Sequence, residues 1–206
     1  MIWRPVVLVL AAGAGSRFGA DLHKLSQAFG GSTVLGESLR NVALTPYACV
    51  LVITESVLRS LPVGLQRSTA MREIVAVPEP GPGNKGMAHS IGAGVSASAW
   101  ADAWLVLPGD MPMVQAATMV AIGQSLKQNP IAYAQYLGKR GHPVGFSAEF
   151  YSELTSLKGD EGARRLLARF PSHPIDVDDP GVLSDIDTPQ DLERLRREVA
   201  ISSSAS

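Results

Sequence analysis

The sequence predicts an α/β fold in which a mostly parallel, doubly wound sheet carries helices on both faces. Short apolar runs, the kind that form strands covered on both sides, recur between residues 6 and 136. Stretches with helical periodicity separate these runs, and this alternation is typical of βαβ units. The predicted strands cover residues 6–10, 49–53, 73–77, 103–107 and 131–136, and the predicted helices cover residues 34–43, 86–99 and 112–127.

The pattern becomes less regular after Gly141. The elements expected there are a short apolar segment at 143–146, helical pieces at 148–157 and 161–170, a strand at 175–177 and a charged helix from about Thr188. No repeat and no linker divides the sequence. We therefore expect one domain over residues 1–198 and, because the terminal serines are of low complexity, a disordered tail over residues 199–206.

The composition is ordinary for an α/β enzyme. Of 206 residues, 46% are apolar and 18% are charged, and the formal net charge is −1. This balance gives no electrostatic reason to expect a nucleic acid partner. The first apolar run is too short to span a bilayer and lacks the form of a signal peptide, so we expect a cytoplasmic protein without a membrane partner. The single cysteine, Cys49, excludes an intrachain disulfide and is expected to be a small buried side chain.

The most informative segment is a glycine-rich loop after the first predicted strand, LAAGAGSRFG at residues 10–19, which Lys24 follows. Gly13 and Gly15 let the backbone turn tightly and approach a ligand closely. Successive backbone N–H groups can then point at phosphate oxygens, while Arg17 and Lys24 add positive charge. The segment lacks the Gly-Lys-Ser/Thr of a P-loop, and its last glycine lies one position beyond that of the dinucleotide fingerprint. It indicates a loop that binds a nucleoside triphosphate.

Two acidic segments are candidates for binding the Mg²⁺ ion that accompanies a triphosphate. Asp110 directly follows a predicted strand, at the sheet edge where ligands bind, although it could instead cap the next helix. In DIDTPQDL, capping explains Thr188 but leaves Asp185 and Asp187 unexplained. We expect one of these two aspartates to be a second metal ligand, and the sequence does not decide between them.

Loops that follow parallel strands lie at one edge of the sheet. The loops after the strands at 73–77 and 103–107 should therefore meet the glycine-rich loop in one crevice. The string NKGMAHS opens the helix after the first of these loops. Its Asn84, Gly86 and Ser90 are candidates for contact with a ribose, a base or a second substrate, although the string could simply start a helix.

The second half of the sequence offers weaker candidates for binding the acceptor. His142 lies in GHPVGF, for which a tight turn into a strand is the simpler interpretation. Asp160 lies in GDEGAR, at an expected helix N-terminus that could receive a phosphate, although acidic neighbours oppose this.

Seven strings resemble the MobA-like nucleotidyltransferases, and most closely the molybdenum cofactor cytidylyltransferases. They are LAAGAGSRFG with Lys24, KLSQAFGGSTVLGESLR, NKGMAHSIGAGV, LPGDMP, GHPVGF, GDEGARRLL and DIDTPQDL, in the family's order over about residues 6–195. The resemblance implies a Rossmann-like fold of the nucleotide-diphospho-sugar transferase type. It also implies a Mg²⁺-dependent transfer of CMP from CTP to the terminal phosphate of molybdopterin, with release of pyrophosphate.

The resemblance also implies roles for individual residues. The nucleotide would be bound by Leu10, Ala11, Ala12, Gly13, Ala14, Gly15, Ser16, Arg17, Lys24, Asn84, Gly86 and Ser90. Catalysis would rest on Arg17, Lys24 and Asp110, and Asp110 would hold Mg²⁺ with Asp185 or Asp187. Two alanines before the first glycine go with CTP in this family, and the methyl group of Ala12 narrows the space for a purine.

Several alternatives remain open at this point. The nucleotide could be GTP, the acceptor could be another phosphate or an alcohol, or the protein could carry the molybdenum cofactor without catalysis. The expected partners are CTP or GTP, a molybdopterin-type acceptor, and a molybdenum hydroxylase or its maturation chaperone. One departure from the family pattern lies at residues 20–23, which lengthen the segment before Lys24.

Overall fold

The computed structural model describes residues 2–13, 18, 23–61, 71–79, 86–159 and 163–204 of the chain. The strands are β1 (Pro5–Ala11), β2 (Ala28–Phe29), β3 (Ser32–Thr33), β4 (Ala48–Thr54), β5 (Met71–Val77), β6 (Ala103–Pro108), β7 (Ile131–Tyr136), β8 (Lys139–Ser147) and β9 (His173–Asp176). The helices are α1 (Val34–Ala43), α2 (Glu55–Ser60), α3 (Met87–Ala97), α4 (Ala116–Ser125), α5 (Tyr151–Thr155), α6 (Arg164–Arg169) and α7 (Pro189–Ser204), with 3₁₀ turns at Lys24–Ser26, Ala148–Phe150 and Pro180–Leu183. Within these ranges every helix is too short or too polar to cross a lipid bilayer.

The strands form a 7-stranded sheet in the order β5-β4-β1-β6-β8-β7-β9, with β2 and β3 as a separate small hairpin. β1 lies inside the sheet and pairs in parallel with β4 and β6. Among the described strands of the 7-stranded sheet, only β8 runs against its neighbours, between β6 and β7. The predicted mostly parallel α/β sheet is therefore confirmed, and the reversed strand is an addition to the prediction.

Both faces of the sheet are covered, because side chains alternate along each strand. Val7 and Val9 of β1 point to the face that α1, α4 and α7 cover. Val6 and Leu8 point to the opposite face, which α3 and α5 cover. All four of these valine and leucine side chains are fully buried. The continuous apolar run therefore reflects a strand packed on both sides, as the sequence predicts.

The reversal of β8 was not expected from the sequence. We predicted only a short apolar segment at 143–146, whereas β8 begins at Lys139 with exposed, charged residues. Its antiparallel register places Val144 opposite Val106. The first residues of β8 therefore lie beside the carboxyl end of β6.

The last helix extends beyond its expected end. It begins as predicted, since Thr188 and Asp191 exchange hydrogen bonds across the first turn. It then continues to Ser204, and Val199 packs against the core. The described helix therefore runs past residue 198, where we expect the domain to end, and the disorder expected for residues 199–206 remains a prediction.

Candidate active site

A cavity of about 300 Å³ opens at the carboxyl edge of the parallel strands. Its lining residues come from the ends of β1, β5 and β6, the turn at Lys24 and the start of α3: Leu10, Ala11, Ala12, Gly13, Lys24, Leu25, Val77, Pro78, Gly86, Met87, His89, Ser90, Pro108 and Asp110. The three loops that the sequence assigned to one crevice therefore meet, as far as the structure describes them. Ala14, Gly15, Ser16, Arg17, Asn84 and Asp160 lie outside the described residues.

The turn after β6 fixes the backbone of Asp110. The amide of Gly109 donates to the carbonyl of Leu10 at 2.8 Å, and the buried hydroxyl of Ser38 donates to the carbonyl of Gly109 at 3.0 Å. A Cβ atom at Gly109 would lie 3.1 Å from the Leu10 carbonyl oxygen, so this close approach favours glycine. The amide of Ile186 donates to the carbonyl of Asp110 at 3.0 Å. The turn is therefore hydrogen-bonded both to β1 and to the segment of residues Asp185, Ile186 and Asp187, which we call the DID segment.

The DID segment presents its two aspartates to the site. Ile186 is fully buried in the core, and its hydrogen bond to the Asp110 carbonyl places the segment beside the turn after β6. Asp185 and Asp187 both line a second cavity, of about 400 Å³, together with Asp110. The structure therefore brings both candidate metal ligands to the cavity that Asp110 lines, and a hydrogen bond from Lys24 to Asp187 distinguishes the two.

Lys24 lies between two of these carboxylates. Its Nζ atom donates to Asp110 Oδ2 at 2.5 Å and to Asp187 Oδ1 at 2.8 Å. Burial, the largest single influence, lowers the pKa of Lys24, but attraction and hydrogen bonds from Asp110 and Asp187 outweigh it and raise that pKa. The ammonium group therefore stays charged and holds two separate segments together. The lysine reaches the site in spite of the lengthened segment before it.

Asp110 does not cap a helix, so that interpretation of its position is wrong. The buried carboxylate of Asp179 instead accepts hydrogen bonds at the start of α4, from the amide of Gln115 and the hydroxyl of Thr118. In Asp110, Oδ2 binds Lys24, whereas Oδ1 is buried and has no hydrogen-bond partner among the described residues. A buried carboxylate oxygen without a partner is costly unless a ligand satisfies it.

This donor set fits a magnesium ion that arrives with a nucleotide. Mg²⁺ prefers carboxylate oxygens and usually takes its remaining ligands from phosphates and water. Within the described ranges, no three acidic, histidine or cysteine side chains are grouped so as to hold a metal by themselves. Asp110 and Asp187, which share one cation in Lys24, are the pair best placed to supply two ligands.

His142 lines the second cavity together with Asp110, whereas it is not among the described residues that line the first. It also lines a third cavity, of about 570 Å³, with Arg164 and Arg165. Burial lowers the pKa of His142, and a hydrogen bond to the backbone of Val106 opposes this effect. The Nδ1 atom of His142 is buried without a hydrogen-bond partner in the described part of the chain. The imidazole is therefore mainly neutral at pH 7, with one nitrogen available to a ligand.

Sequence reasoning passed over His23, which precedes Lys24. One ring nitrogen of His23 lies 2.9 Å from the carbonyl oxygen of Gly13, and the other accepts from the amide of Leu25 at 3.3 Å. A single histidine gives no periodic signal that would predict these contacts.

Comparison with known proteins agrees with this arrangement. A model of the MobA-like NTP transferase domain matches residues 7–175. Purine catabolism protein PucB of Bacillus subtilis is 35% identical over 118 residues, which is 55% of this chain and 57% of PucB. The chain thus spans little more than half the length of this curated relative.

Solved structures extend the similarity over nearly the whole chain. Rv0371c from Mycobacterium tuberculosis is 27% identical with a TM-score of 0.79, over 96% of this chain and 99% of that one. A structure of Rv0371c in complex with manganese is 26% identical with a TM-score of 0.77, over 96% and 100% of the two chains. The 4-diphosphocytidyl-2C-methyl-D-erythritol synthase of Anaerococcus prevotii, 13% identical with a TM-score of 0.73 over 96% of each chain, shows the same fold. The matched domain and the shared fold together show that this chain belongs to the MobA-like NTP transferase family.

Proposed function

We propose that this nucleotidyltransferase transfers CMP from CTP to the terminal phosphate of molybdopterin, with Mg²⁺ as cofactor and pyrophosphate as the second product. The observation that carries the proposal is the position of Asp110. It lies between two cavities and shares the ammonium group of Lys24 with Asp187. One cavity would receive the nucleotide and the other the acceptor, so that the two substrates meet at this carboxylate.

The first cavity has features that suit a cytidine nucleotide. Ala12 and Gly13 lie in its wall directly after β1, where a phosphate-binding loop begins. A methyl group at residue 12 leaves less room than a glycine would, which favours a pyrimidine over a purine. Gly86 and the buried Ser90, at the start of α3, offer backbone and hydroxyl groups to the ribose or the base.

Asp110 and Asp187 would hold the metal, and Lys24 would bind the phosphates. The magnesium ion, when bound, supplies positive charge against the charge that develops on the phosphate oxygens. Lys24 lines the nucleotide cavity, so its ammonium group can turn from the carboxylates to the triphosphate. Arg17, which lies outside the described residues, would add a second positive charge in the same loop.

The acceptor phosphate would enter from the side of His142. The second cavity has Arg140 on its wall, whose guanidinium group suits an anion, and His142 lines the same cavity. The third cavity continues past His142, with Val144 and the charged Arg164 on its walls, and could take the rest of the acceptor. Asp160 remains a weaker candidate for the same role.

The reaction needs alignment more than it needs a base. An oxygen of the acceptor phosphate attacks the α-phosphorus of CTP, the bond from that phosphorus to the bridging oxygen breaks, and pyrophosphate leaves with the electron pair. A phosphate monoester is already largely ionised at pH 7, so no side chain has to remove a proton. The two cavities on either side of Asp110 supply the alignment. The product would pass to a molybdenum hydroxylase or its maturation chaperone.

The test is pyrophosphate release with Mg²⁺, molybdenum-loaded molybdopterin and each of CTP, GTP, ATP and UTP in turn. Release with CTP alone is expected. Release with GTP alone would overturn the interpretation of Ala12. Binding of molybdopterin without pyrophosphate release from any nucleotide would favour a carrier, and triphosphate binding without release would mean that the acceptor is wrong.

A further inference from the structure

His23 connects two walls of the nucleotide cavity without lining the cavity itself. Gly13, at the end of β1, and the Lys24–Leu25 turn both line the first cavity. His23 precedes this turn and contacts both segments through its ring. The lengthened segment before Lys24, where this chain departs from the family pattern, therefore ends in a residue that ties the turn to β1.

The contacts of His23 determine its tautomer. The amide of Leu25 donates to Nδ1 at 3.3 Å, so Nδ1 must carry a lone pair. The carbonyl of Gly13 can only accept, so Nε2, at 2.9 Å, must carry the hydrogen. One neutral tautomer satisfies both bonds. The backbone carbonyl of His23 also accepts from the amide of Ser26 at 3.0 Å and from its hydroxyl at 2.8 Å, which closes the turn.

These bonds restrict where Lys24 can lie. The side chain of Leu25 is buried in the core and anchors the turn there. The bond from His23 to Gly13 holds the same turn from the side of β1. Lys24 is the first residue of this turn, so its Cα atom is fixed on both sides. A hydrogen bond that restrains a loop end in the free protein lowers the entropy lost when the ligand binds.

We propose that His23 is a positioning residue that holds Lys24 and the start of the phosphate loop at the correct separation for a triphosphate. This inference rests on the proposed function, because it assumes that the first cavity binds the nucleotide. A single neutral hydrogen bond of ordinary strength corresponds to about a fivefold change in affinity. Loss of the bond from Nε2 to Gly13 should therefore weaken CTP binding by about this factor.

Two substitutions separate the contacts of His23. In His23→Asn, the amide oxygen can take the place of Nδ1 and accept from Leu25, but no donor reaches Gly13. In His23→Gln, the longer amide can donate to Gly13 as Nε2 does, while the contact with Leu25 is lost. The control is His173→Asn, which changes an exposed histidine of β9. Binding of CTP with Mg²⁺ is measured by calorimetry, and stability by thermal unfolding.

We expect His23→Asn to have the lower affinity for CTP and His23→Gln to have the lower unfolding temperature. His23→Asn should bind CTP about fivefold more weakly than the wild type and show a higher KM with little change in kcat. His23→Gln should bind CTP almost normally but unfold at a lower temperature than His23→Asn. The inference alone is overturned if the wild type binds CTP and His23→Asn binds it equally well, or if both variants lose affinity together. If the wild type binds no nucleoside triphosphate, the proposed function falls and the inference falls with it.

Discussion

Replacing Lys24 with methionine should make the protein without nucleotide bind a divalent cation more tightly. Lys24 places one positive charge between Asp110 and Asp187, where a metal would make its contacts. A metal ion that binds without nucleotide must displace the ammonium group from both carboxylates. The displaced ammonium group remains nearby and repels the metal ion. Methionine retains much of the length of the lysine side chain but removes its charge, so the two carboxylates become available to the cation.

The size of the effect follows from the two contacts that the metal must replace. A hydrogen bond between charged groups contributes about 1.5–3 kcal/mol to stability. When the ammonium group of Lys24 leaves the carboxylates, water replaces part of the lost hydrogen bonding. The side chain of Asp187 is 38% exposed, so solvent also screens its contact with Lys24. We therefore assign about 2 kcal/mol to the pair of contacts, which corresponds to an increase in cation affinity of about thirtyfold.

The assay is Mn²⁺ binding followed by electron paramagnetic resonance, first without nucleotide and then with CTP. Lys24→Met should bind Mn²⁺ more tightly than the wild type when nucleotide is absent. It should bind CTP more weakly, because the phosphates lose their ammonium partner. The control is Lys127→Met, which removes an exposed charge outside the site and should change neither affinity. Equal or weaker Mn²⁺ binding by Lys24→Met in the absence of nucleotide would show that Lys24 does not compete with the metal.

Three further predictions concern the site and the core. Asp110→Asn should lower the rate of pyrophosphate release at least about 100-fold while the protein still folds, with an unfolding midpoint only modestly lower because the attraction to Lys24 is weakened but packing is retained. A wild-type rate would refute the metal assignment. Asp179→Ala should lower the free energy of unfolding in urea by about 3 kcal/mol, because three donors around this buried carboxylate lose their acceptor, and a loss below about 1 kcal/mol would contradict this. Burial raises the pKa of the Cys49 thiol to about 12, so at pH 8 a thiol reagent should modify Cys49 only after unfolding in urea; rapid modification of the folded protein would refute the burial.

The sequence was most informative where a local pattern determines the structure. The bounds of α1 agree with the prediction because Thr33 caps its first turn and apolar residues recur along one face. β1 was predictable because both of its faces are covered. β8 was not, since its exposed first residues, Lys139 and Arg140, are charged and only its central part is apolar.

Within the site, the residues that take part were easier to predict than the contacts between their side chains. The sequence indicated that one of Asp185 and Asp187 is a metal ligand, but it could not tell which of them contacts Lys24. That choice depends on how the DID segment approaches the turn after β6, through the hydrogen bond from Ile186 to Asp110. Contacts between segments far apart in the chain leave no periodic trace in the sequence.

The reversed direction of β8 explains why a segment from the irregular second half reaches the site at all. In a parallel sheet, only the residues after a strand lie at the carboxyl edge, where the first cavity opens. β8 is antiparallel to β6, with Val144 opposite Val106, so its first residues lie at that edge. His142 is thereby placed beside Asp110 and lines the second cavity. If β8 ran parallel to β6, its first residues would lie at the opposite edge. Among the described strands of the large sheet, the antiparallel strand β8 thus provides a wall of the second cavity, while the ends of β1, β5 and β6 provide walls of the first.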